Sequence, residues 1–493
     1  MTDNSRKEYF RNYRKRRAVL REIVLSSSSD EEQNPQCPQP LLHNEEEMNL
    51  YQSPSEKSDG QTSDTGIICD EHFEMQDDSE ESSCDVSGED IPDLVEGLKA
   101  WAIEDRIPSR SINKLLSLLR QQGHRLPKDA RTLLGTPKVI DVLEKCGGQY
   151  KYFGIESGIS TCIAMNKGAC EYIEQIQLKI NIDGLPIFKS NSKQFWPILC
   201  QFHRFEPFIV GLFYGTSKPV PVSDFMEDFL EELDNLRTNG LTVEGRTFDV
   251  SVGCFVCDAP ARAYVKCIKG HTSYYACERC TIKGTYEREE KQAGRKAGGR
   301  GVFIPGENED IENRSDISFS QQQYELHQVN QSPLNAYNID CVSTFVLDYM
   351  HLVCLGVVKR MLHFIKQGPF ICRISQQNKK ELSSKLEALS GKLPMEFARQ
   401  PRSFFELERW KATEYRQFLL YTGPIVLKDI VSDDTYHHFL TLTIAMNILL
   451  DSNMERRNEN LDYAAELLKY FVNESPKIYG RTFPVYNVHG LLH

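Results

Sequence analysis

The stretch Ile176-Gln177-Leu178-Lys179-Ile180-Asn181-Ile182-Asp183 decides the fold, because apolar and polar residues alternate along it without a break. This period of two predicts a strand with one buried face and a carboxylate at its C-terminal end. Gly184 and Pro186 follow and predict that the strand stops there. The chain is therefore expected to contain a sheet in which one strand ends at an aspartate.

Further segments extend this sheet, and a helix lies between two of them. Segments 195–202 and 207–214 are rich in strand-forming residues. A helical period then runs over 225–236, and strict alternation returns over 248–256, directly before Asp258. The order βββαβ predicts an α+β fold in which the fourth strand returns beside the first. Both aspartates would then lie at the same edge of the sheet.

Two carboxylates at one sheet edge form a candidate site for divalent cations. Phosphodiester cleavage uses two cations about 3.5–4 Å apart, held by carboxylates on a rigid base. Mg²⁺ prefers oxygen ligands and keeps several waters, so a few carboxylates suffice. Asp183 and Asp258 are therefore predicted to be catalytic residues that bind Mg²⁺ or Mn²⁺. The alternative is that Asp183 is a turn residue and that Asp258 only caps the helix beginning at Ala259.

A second candidate metal site follows in Cys277-Glu278-Arg279-Cys280. This C-x-x-C spacing suits two thiolates on one tetrahedral zinc ion, and no βαβ pattern surrounds it that would favour a redox function. The other two ligands are either the local Cys267 and His271 or the distant His489 and His493, whose H-x-x-x-H spacing is also typical of zinc. The residues alone leave both pairs open, and the alternative to a zinc site is two unligated thiols.

Composition limits the class of protein. A chain of 493 residues with 40% hydrophobic content can bury a large core, and its 15 cysteines are expected to be reduced or bound to metal. No membrane span or secretory signal is recognisable, which predicts an intracellular protein. The net charge of -12 is a poor guide to partners, because most of the acidity lies near the N-terminus.

Composition and periodicity divide the chain into six predicted segments. Residues 1–90 form an acidic, serine-rich tail that is predicted to be disordered, and its basic start, Arg14-Lys15-Arg16-Arg17, is either a nuclear import signal or a solvated charge run. The other segments are a small helical unit at 91–146, the sheet core with its C-x-x-C at 170–284, a flexible polar loop at 285–338, a helical insertion at 339–480 and the H-x-x-x-H segment at 481–493. The helical unit is either a helix-turn-helix DNA reader or a packing unit. The loop is basic but lacks interleaved aromatic residues, so it is either a non-specific phosphate contact or a plain solvated loop.

From about Trp101 to His493 the chain resembles transposase-derived proteins of the CACTA (En/Spm-like) group, which belong to the DDE transposase superfamily. The matching motifs are Ile182–Pro186, Cys257–Arg262, Gly270–His271 with Cys277 and Cys280, Asp348–Leu352, Trp410–Glu414 and Tyr486–His493. The resemblance implies an RNase H-like core with a large all-α insertion. It also implies DNA as the partner, cut-and-paste chemistry and a nuclear location, and it leaves a homo-oligomer open.

The resemblance assigns roles to individual residues. Asp183 and Asp258 correspond to the first two members of the DDE triad. The residues that correspond to a zinc site, which ties the inserted helices to the core, are Cys277, Cys280, His489 and His493, with Cys267 and His271 as the runner-up pair.

The third carboxylate of the triad is where the chain departs from the family. In those relatives a glutamate lies a short way beyond the H-x-x-x-H pair, whereas this sequence ends at His493, so the chain is expected to be catalytically incomplete. Asp348 is one candidate substitute, because it shares a helix face with His351, although it is also a typical first-turn carboxylate. Glu414 is the other, and is expected in a structural ion pair. Two functions follow: a DNA-processing enzyme related to transposases, or a non-catalytic nuclear protein that binds DNA or a partner.

Overall fold

The computed structural model describes residues 94–105, 107–137, 140–187, 191–288, 299–304 and 311–493. The predicted disordered tail and its basic start lie outside the described residues. From Leu94 onwards the described residues belong to one unit that combines a curled, mixed sheet with many helices. This α+β class is the one that the sequence predicts.

Among the described residues, eight strands build the main sheet and two more form a separate hairpin. The strands are β1 (Leu143–Lys145), β2 (Gly148–Tyr152), β3 (Gln175–Ile182), β4 (Leu185–Pro186), β5 (Gln194–Phe202), β6 (Phe208–Gly215), β7 (Leu241–Val243), β8 (Arg246–Phe255), β9 (Thr285–Arg288) and β10 (Gly299–Val302). Their order in the main sheet is β1-β2-β6-β5-β3-β8-β7, with β4 beside β5, while β9 pairs with β10. β3 and β8 are parallel neighbours, which confirms the predicted return of the later strand beside the first.

Helices precede, cover and follow the sheet. The α-helices are α1 (Leu94–Glu104), α2 (Ser109–Gln121), α3 (Ala130–Leu133), α4 (Ile155–Met165), α5 (Lys167–Cys170), α6 (Val222–Asn239), α7 (Ala259–Val265), α8 (Asp316–Ser320), α9 (Lys359–Gln367), α10 (Gln376–Glu387), α11 (Ala412–Gln417), α12 (Gly423–Val426), α13 (Asp433–Leu449), α14 (Met454–Glu459), α15 (Leu461–Tyr479) and α16 (Tyr486–His489). The π-helices are Met350–Val358 and Phe418–Thr422, and the 3₁₀ turns are Pro333–Tyr337, Phe404–Arg409 and Gly490–Leu492. Every named element from Met350 onwards is helical. In the described part of the chain, no helix has the length and apolarity needed to cross a membrane.

β3 is buried as its alternation predicts. Ile176, Leu178, Ile180 and Ile182 are fully buried, while the residues between them face outwards or are half-buried. Helix α6 contacts β8 and β6, and its apolar residues join the same core. Each fully buried aliphatic side chain of this kind stabilises the fold by about 1.5–3 kcal/mol. Gly240 ends α6 with φ +70, a conformation that side chains other than glycine rarely adopt.

The sheet begins earlier in the chain than the predicted core of 170–284. β1 and β2 form a hairpin, and β2 pairs with β6 at the far side of the sheet. Tyr150 of β2 and Ile155 of α4 are fully buried in the main core. Strands of three and five residues are too short for their alternation to stand out in the sequence.

Part of the segment predicted as a flexible loop, 285–338, is structured. It contains β9, β10, α8 and a 3₁₀ turn, and Phe319 and Leu334 are buried in the main core. These apolar residues stand singly among polar ones, so the sequence shows no periodic pattern here. The segment 311–338 therefore belongs to the core packing rather than to a solvated loop.

Helices α1 to α3 form the small helical unit. A separate apolar cluster holds them together, and its buried members are Ala102, Ile112, Leu116, Ala130 and Leu133. Such a cluster supports the packing-unit interpretation. The helix-turn-helix interpretation stays a prediction, because nothing in this cluster identifies a base-contacting face.

Candidate functional site

Four metal-ligating side chains meet where the C-x-x-C segment contacts the H-x-x-x-H segment. Cys277, Cys280 and His489 are buried, whereas His493 is exposed. The Sγ of Cys277 lies 3.5 Å from the Nε2 of His493, and the Sγ of Cys280 lies 3.3 Å from the Nε2 of His489. The two sulfurs are 3.5 Å apart, and the two Nε2 atoms are 3.2 Å apart.

These separations match those between the ligands of a tetrahedral ion. An ion bonded at about 2.3 Å to sulfur and about 2.0–2.1 Å to nitrogen separates its ligand atoms by about 3.3–3.8 Å. Two thiolates and two imidazoles are also a ligand set that zinc favours. The four residues could therefore hold a metal ion such as zinc.

Close packing of distant segments brings the two ligand pairs together. Helix α16 lies against the π-helix that begins at Met350, and a Cβ on Gly356 would stand only 2.6 Å from the side chain of Asn487. Position 356 therefore requires glycine for this approach. Phe303 stacks on the ring of His489, with ring centroids 5.7 Å apart. The histidines are thus held by packing as well as by any bound ion.

The two thiols of the group differ in acidity. Burial raises the pKa of Cys277. The hydrogen bond between the two sulfurs lowers the pKa of Cys280 to about 7. A substantial fraction of Cys280 is therefore thiolate at neutral pH, and thiolate is the form that binds metal.

Cys267 and His271, the runner-up ligands, lie outside this group. The Cys267 thiol donates a weak hydrogen bond to the carbonyl oxygen of Tyr264 at 3.8 Å, and the His271 ring lies beside that of Tyr486. Among the described residues, the group within metal-binding reach contains the distant histidines instead. This is the ligand set that the family resemblance implies.

A buried charge network lies directly beside the C-x-x-C segment. Glu278 is 4% exposed and accepts hydrogen bonds from Arg262 and Lys266, each at 2.8 Å. Tyr486 donates a third hydrogen bond to the same carboxylate. Burial alone would raise the pKa of Glu278, but Lys266 and Arg262 beside it hold that pKa well below its ordinary value. The network therefore fixes helix α7, which begins directly after Asp258, against the metal-ligand segments.

Glu278→Gln is expected to destabilise the protein by about 3–5 kcal/mol, because Arg262 and Lys266 would stay buried without an opposite charge. Urea unfolding at pH 7 would measure this loss. The folded pKa of Glu278 is depressed, so its contribution is present in full above the unfolded pKa and is lost as the pH falls towards the folded value. The difference between variant and parent should therefore shrink below about pH 4.5.

Glu396→Gln is the matched control, because Glu396 is exposed. Its effect on the free energy of unfolding should stay within about 0.5 kcal/mol. Equal small effects of the two substitutions would contradict the role assigned to the network.

Three aspartates follow three neighbouring parallel segments at the same distance in the sequence. Ile180 of β3 pairs with Phe255 of β8, and Phe345 forms a further parallel bridge with Phe255. The rings of Phe255 and Phe345 stack, with centroids 4.6 Å apart. Ile180, Phe255 and Phe345 are each followed, three residues later, by an aspartate. These aspartates are Asp183, Asp258 and Asp348. We call these three residues the aspartate row.

The first two members of the aspartate row also make local hydrogen bonds. Asp183 accepts one from the backbone N–H of Gly184 at 2.7 Å, and Asp258 caps α7 by accepting one from Ala261 at 2.8 Å. Burial, followed by the negative charge of Asp258, raises the pKa of Asp183. Two carboxylates that repel each other in this way are the kind of pair that a cation between them stabilises.

The third member, Asp348, pairs with His351. Its carboxylate accepts hydrogen bonds from the backbone N–H groups of Met350 and His351, and it bonds the His351 ring. Burial would raise the pKa of Asp348, but the bonds from His351 lower it. The bond to Asp348 raises the pKa of His351, and the charges of Asp258 and Asp183 raise it further. Asp348 therefore lies just before the helix, and its partner His351 responds to the charges of the other two aspartates.

Glu414, the other candidate substitute, has a structural role. It is 3% exposed and accepts two hydrogen bonds from Arg402, at 2.6 and 2.7 Å, and one from the backbone of Lys411. The predicted structural ion pair is confirmed.

The pairing of Glu278 with Arg262, Lys266 and Tyr486 is not visible in the sequence patterns. The available signal was the spacing of Arg262 and Lys266, which puts two cations on one face of the short helix after Asp258. Nothing local identifies the glutamate between the two cysteines as their partner.

Comparisons with known proteins bring no assignment to this site. No protein-family model matches the chain, and no curated protein matches it either. The transposase resemblance therefore stays a hypothesis that rests on the motifs and the geometry described above.

Proposed function

We propose that the chain is a transposase-type DNA-binding protein with an RNase H-like core, in which the aspartate row holds Mg²⁺ or Mn²⁺ for phosphodiester cleavage. The common register of Asp183, Asp258 and Asp348 is the observation that carries the proposal. Divalent cations held there would stabilise the attacking and leaving oxygens of the phosphodiester.

The arrangement of strands supports an RNase H-like core. β3, β5 and β6 form an antiparallel meander, α6 follows, and β8 returns parallel to β3. This is the βββαβ order. It brings Asp183 directly after β3 and Asp258 three residues after β8, beyond the ends of two adjacent parallel strands of a rigid sheet.

Asp348 takes the place of the third carboxylate in this proposal. Phe345 extends the row of paired residues beyond β8, so Asp348 follows at the same distance as the other two aspartates. His351 holds the Asp348 carboxylate in its ionised form, which is the form that binds a cation. The chain is thus proposed to have a three-carboxylate site of its own.

The test is cleavage of a supercoiled plasmid by the purified, zinc-loaded chain. Nicked product is expected only after Mg²⁺ or Mn²⁺ is added, and its rate should rise with the concentration of the ion. Absence of nicking at every concentration of both ions would overturn the catalytic proposal.

His351→Gln is expected to weaken Mn²⁺-dependent nicking by about 10- to 100-fold, because residues that orient a metal ligand typically contribute that much. The concentration of Mn²⁺ that gives half the maximal rate should rise. His124→Gln, an exposed histidine in the helical unit, is the control and should leave the rate unchanged. Equal rates in all three proteins would rule out a positioning role for His351.

A non-catalytic nuclear protein that binds DNA or a partner is the second candidate. All three carboxylates of the aspartate row already accept hydrogen bonds from the protein, which is the observation in its favour. DNA binding without cleavage in the plasmid assay would select it. Both candidates include a nuclear location, and a homo-oligomer is compatible with either.

A further inference from the structure

An open cleft of about 1210 Å³ lies on the side of the molecule where α9 faces the β9–β10 hairpin. Its walls come mainly from three parts of the chain that are far apart in the sequence, and Glu408 adds to them. Among the described residues, these parts are 271–288 with Gly301, 355–371 with α9, and 480–487 before and within α16. The cleft has room for a long ligand that carries aromatic rings and charged groups.

Basic side chains line this cleft from all three segments. They are Arg288, Lys359, Arg360 and Arg481. Only two carboxylates accompany them, Glu287 and Glu408, so the wall carries a net positive charge.

The two carboxylates are already engaged by other groups of the cleft. Glu287 pairs with Arg481 at 2.9 Å, and Glu408 lies 3.4 Å from the ring of His363. Arg288 and Lys359, by contrast, have no carboxylate within ion-pair distance in the described part of the chain. These two cations are therefore available to a bound anion such as a phosphate.

Exposed aromatic rings stand among these cations. Tyr274 is 53% exposed, Tyr286 is 56% exposed and Phe370 is 86% exposed, and all three line the cleft. The guanidinium of Arg373 lies over the ring of Phe370, 4.2 Å from its centroid. Solvent-facing rings beside unpaired cations are the combination with which proteins stack unpaired bases and contact the phosphates between them.

One continuous helical segment joins this cleft to the aspartate row. The π-helix that starts at Met350 runs directly into α9. Leu355 and Lys359 of this segment line the cleft, and His351 of the same segment bonds Asp348. A strand bound in the cleft would therefore lie along the helical segment that follows Asp348.

We propose that this cleft binds single-stranded DNA, with bases stacked on Tyr274, Tyr286 and Phe370 and phosphates on Arg288 and Lys359. The inference rests on the proposed function and deepens it, because it names an unpaired strand as the form of DNA that is recognised. A double helix is too stiff and too well stacked to offer its base faces to three rings in a cleft.

The test is fluorescence anisotropy with a labelled oligothymidylate and, in parallel, a labelled duplex of the same length, without added Mg²⁺ or Mn²⁺. The oligothymidylate should bind more tightly than the duplex. Tyr286→Ala and Phe370→Ala should each weaken binding of the single strand by about tenfold. Lys359→Glu should also weaken it, and should lower the slope of affinity against salt concentration by about 0.7 or more.

Matched controls lie outside the cleft. Tyr172→Ala removes a ring that is 86% exposed, and Lys469→Glu reverses an exposed charge on α15. Neither should change the affinity. Tighter binding of the duplex, or equal losses in the control and cleft variants at unchanged melting temperature, would overturn the inference.

The binding assay and the cleavage assay test two proposals that can fail separately. The binding assay contains no Mg²⁺ or Mn²⁺, so its result does not depend on whether the aspartate row cleaves DNA. Retained binding without any metal-dependent nicking would leave the cleft standing and remove the catalytic proposal. Nicking by a chain that does not bind the single strand would do the reverse.

Discussion

Asp183→Ala should reduce Mg²⁺- or Mn²⁺-dependent nicking of a supercoiled plasmid by about a thousandfold. A metal ion that stabilises charge in the transition state contributes several kcal/mol, and about 4 kcal/mol corresponds to a thousandfold change in rate. Asp183 belongs to the aspartate row, and its raised pKa reflects burial beside Asp258. The rate of appearance of nicked circles, followed on a gel, measures the effect.

Two controls make this experiment specific. Asp249→Ala removes an exposed aspartate from the opposite end of β8 and should nick at the parent rate. Asp183→Asn keeps the volume of the side chain and should be as inactive as Asp183→Ala, which separates a lost ligand from a local packing defect. If Asp183→Ala nicks as fast as the parent chain, the aspartate row has no catalytic role.

Cys277→Ser should abolish stable zinc binding and lower the melting temperature by about 10 °C. The parent chain is expected to carry about one zinc ion, and the binding free energy of a structural zinc ion is also folding free energy. Loss of the thiolate would leave three ligands and would free His493, whose Nε2 lies 3.5 Å from the Cys277 sulfur. Elemental analysis of the purified protein and a thermal melt measure the two effects.

Cys267→Ser is the matched control for the zinc prediction. Its thiol belongs to the runner-up ligand pair and bonds a carbonyl oxygen instead of a histidine. This variant should keep its zinc and melt within a few degrees of the parent, because the hydrogen bond of the Cys267 thiol contributes about 1 kcal/mol or less to stability. Loss of zinc from Cys267→Ser as well as from Cys277→Ser would favour the runner-up pair over the distant histidines.

The sheet could be predicted where its strands are long and half-buried. β3 alternates over eight residues and α6 repeats its apolar positions over 18, so both patterns are recognisable, and their order predicts the β3–β8 neighbours. The four members of the cysteine–histidine group could be predicted only as candidate metal ligands. Spacing identifies a C-x-x-C and an H-x-x-x-H pair, but whether they meet depends on how the helices between them pack.

The features that could not be predicted depend on contacts between distant or short segments. The parallel bridge of Phe345 involves a single residue, so no periodic pattern in the sequence predicts it. Without this bridge, Asp348 cannot be assigned to the aspartate row. Glu278 accepts hydrogen bonds from Lys266 and Arg262, which lie 12 and 16 residues earlier in the chain. The cleft exists only because segments around residues 286, 359 and 481 meet in space.

The two halves of the cysteine–histidine group are made at different times by the ribosome. His489 lies 209 residues beyond Cys280. At a synthesis rate of about 5–20 residues per second, the cysteines emerge about 10–40 s before their histidine partners. Throughout this interval the nascent chain presents an incomplete, thiol-only chelate that is open to oxidation and to competing soft metal ions. A metal ion held by all four residues could therefore bind only after the whole helical region has been synthesised.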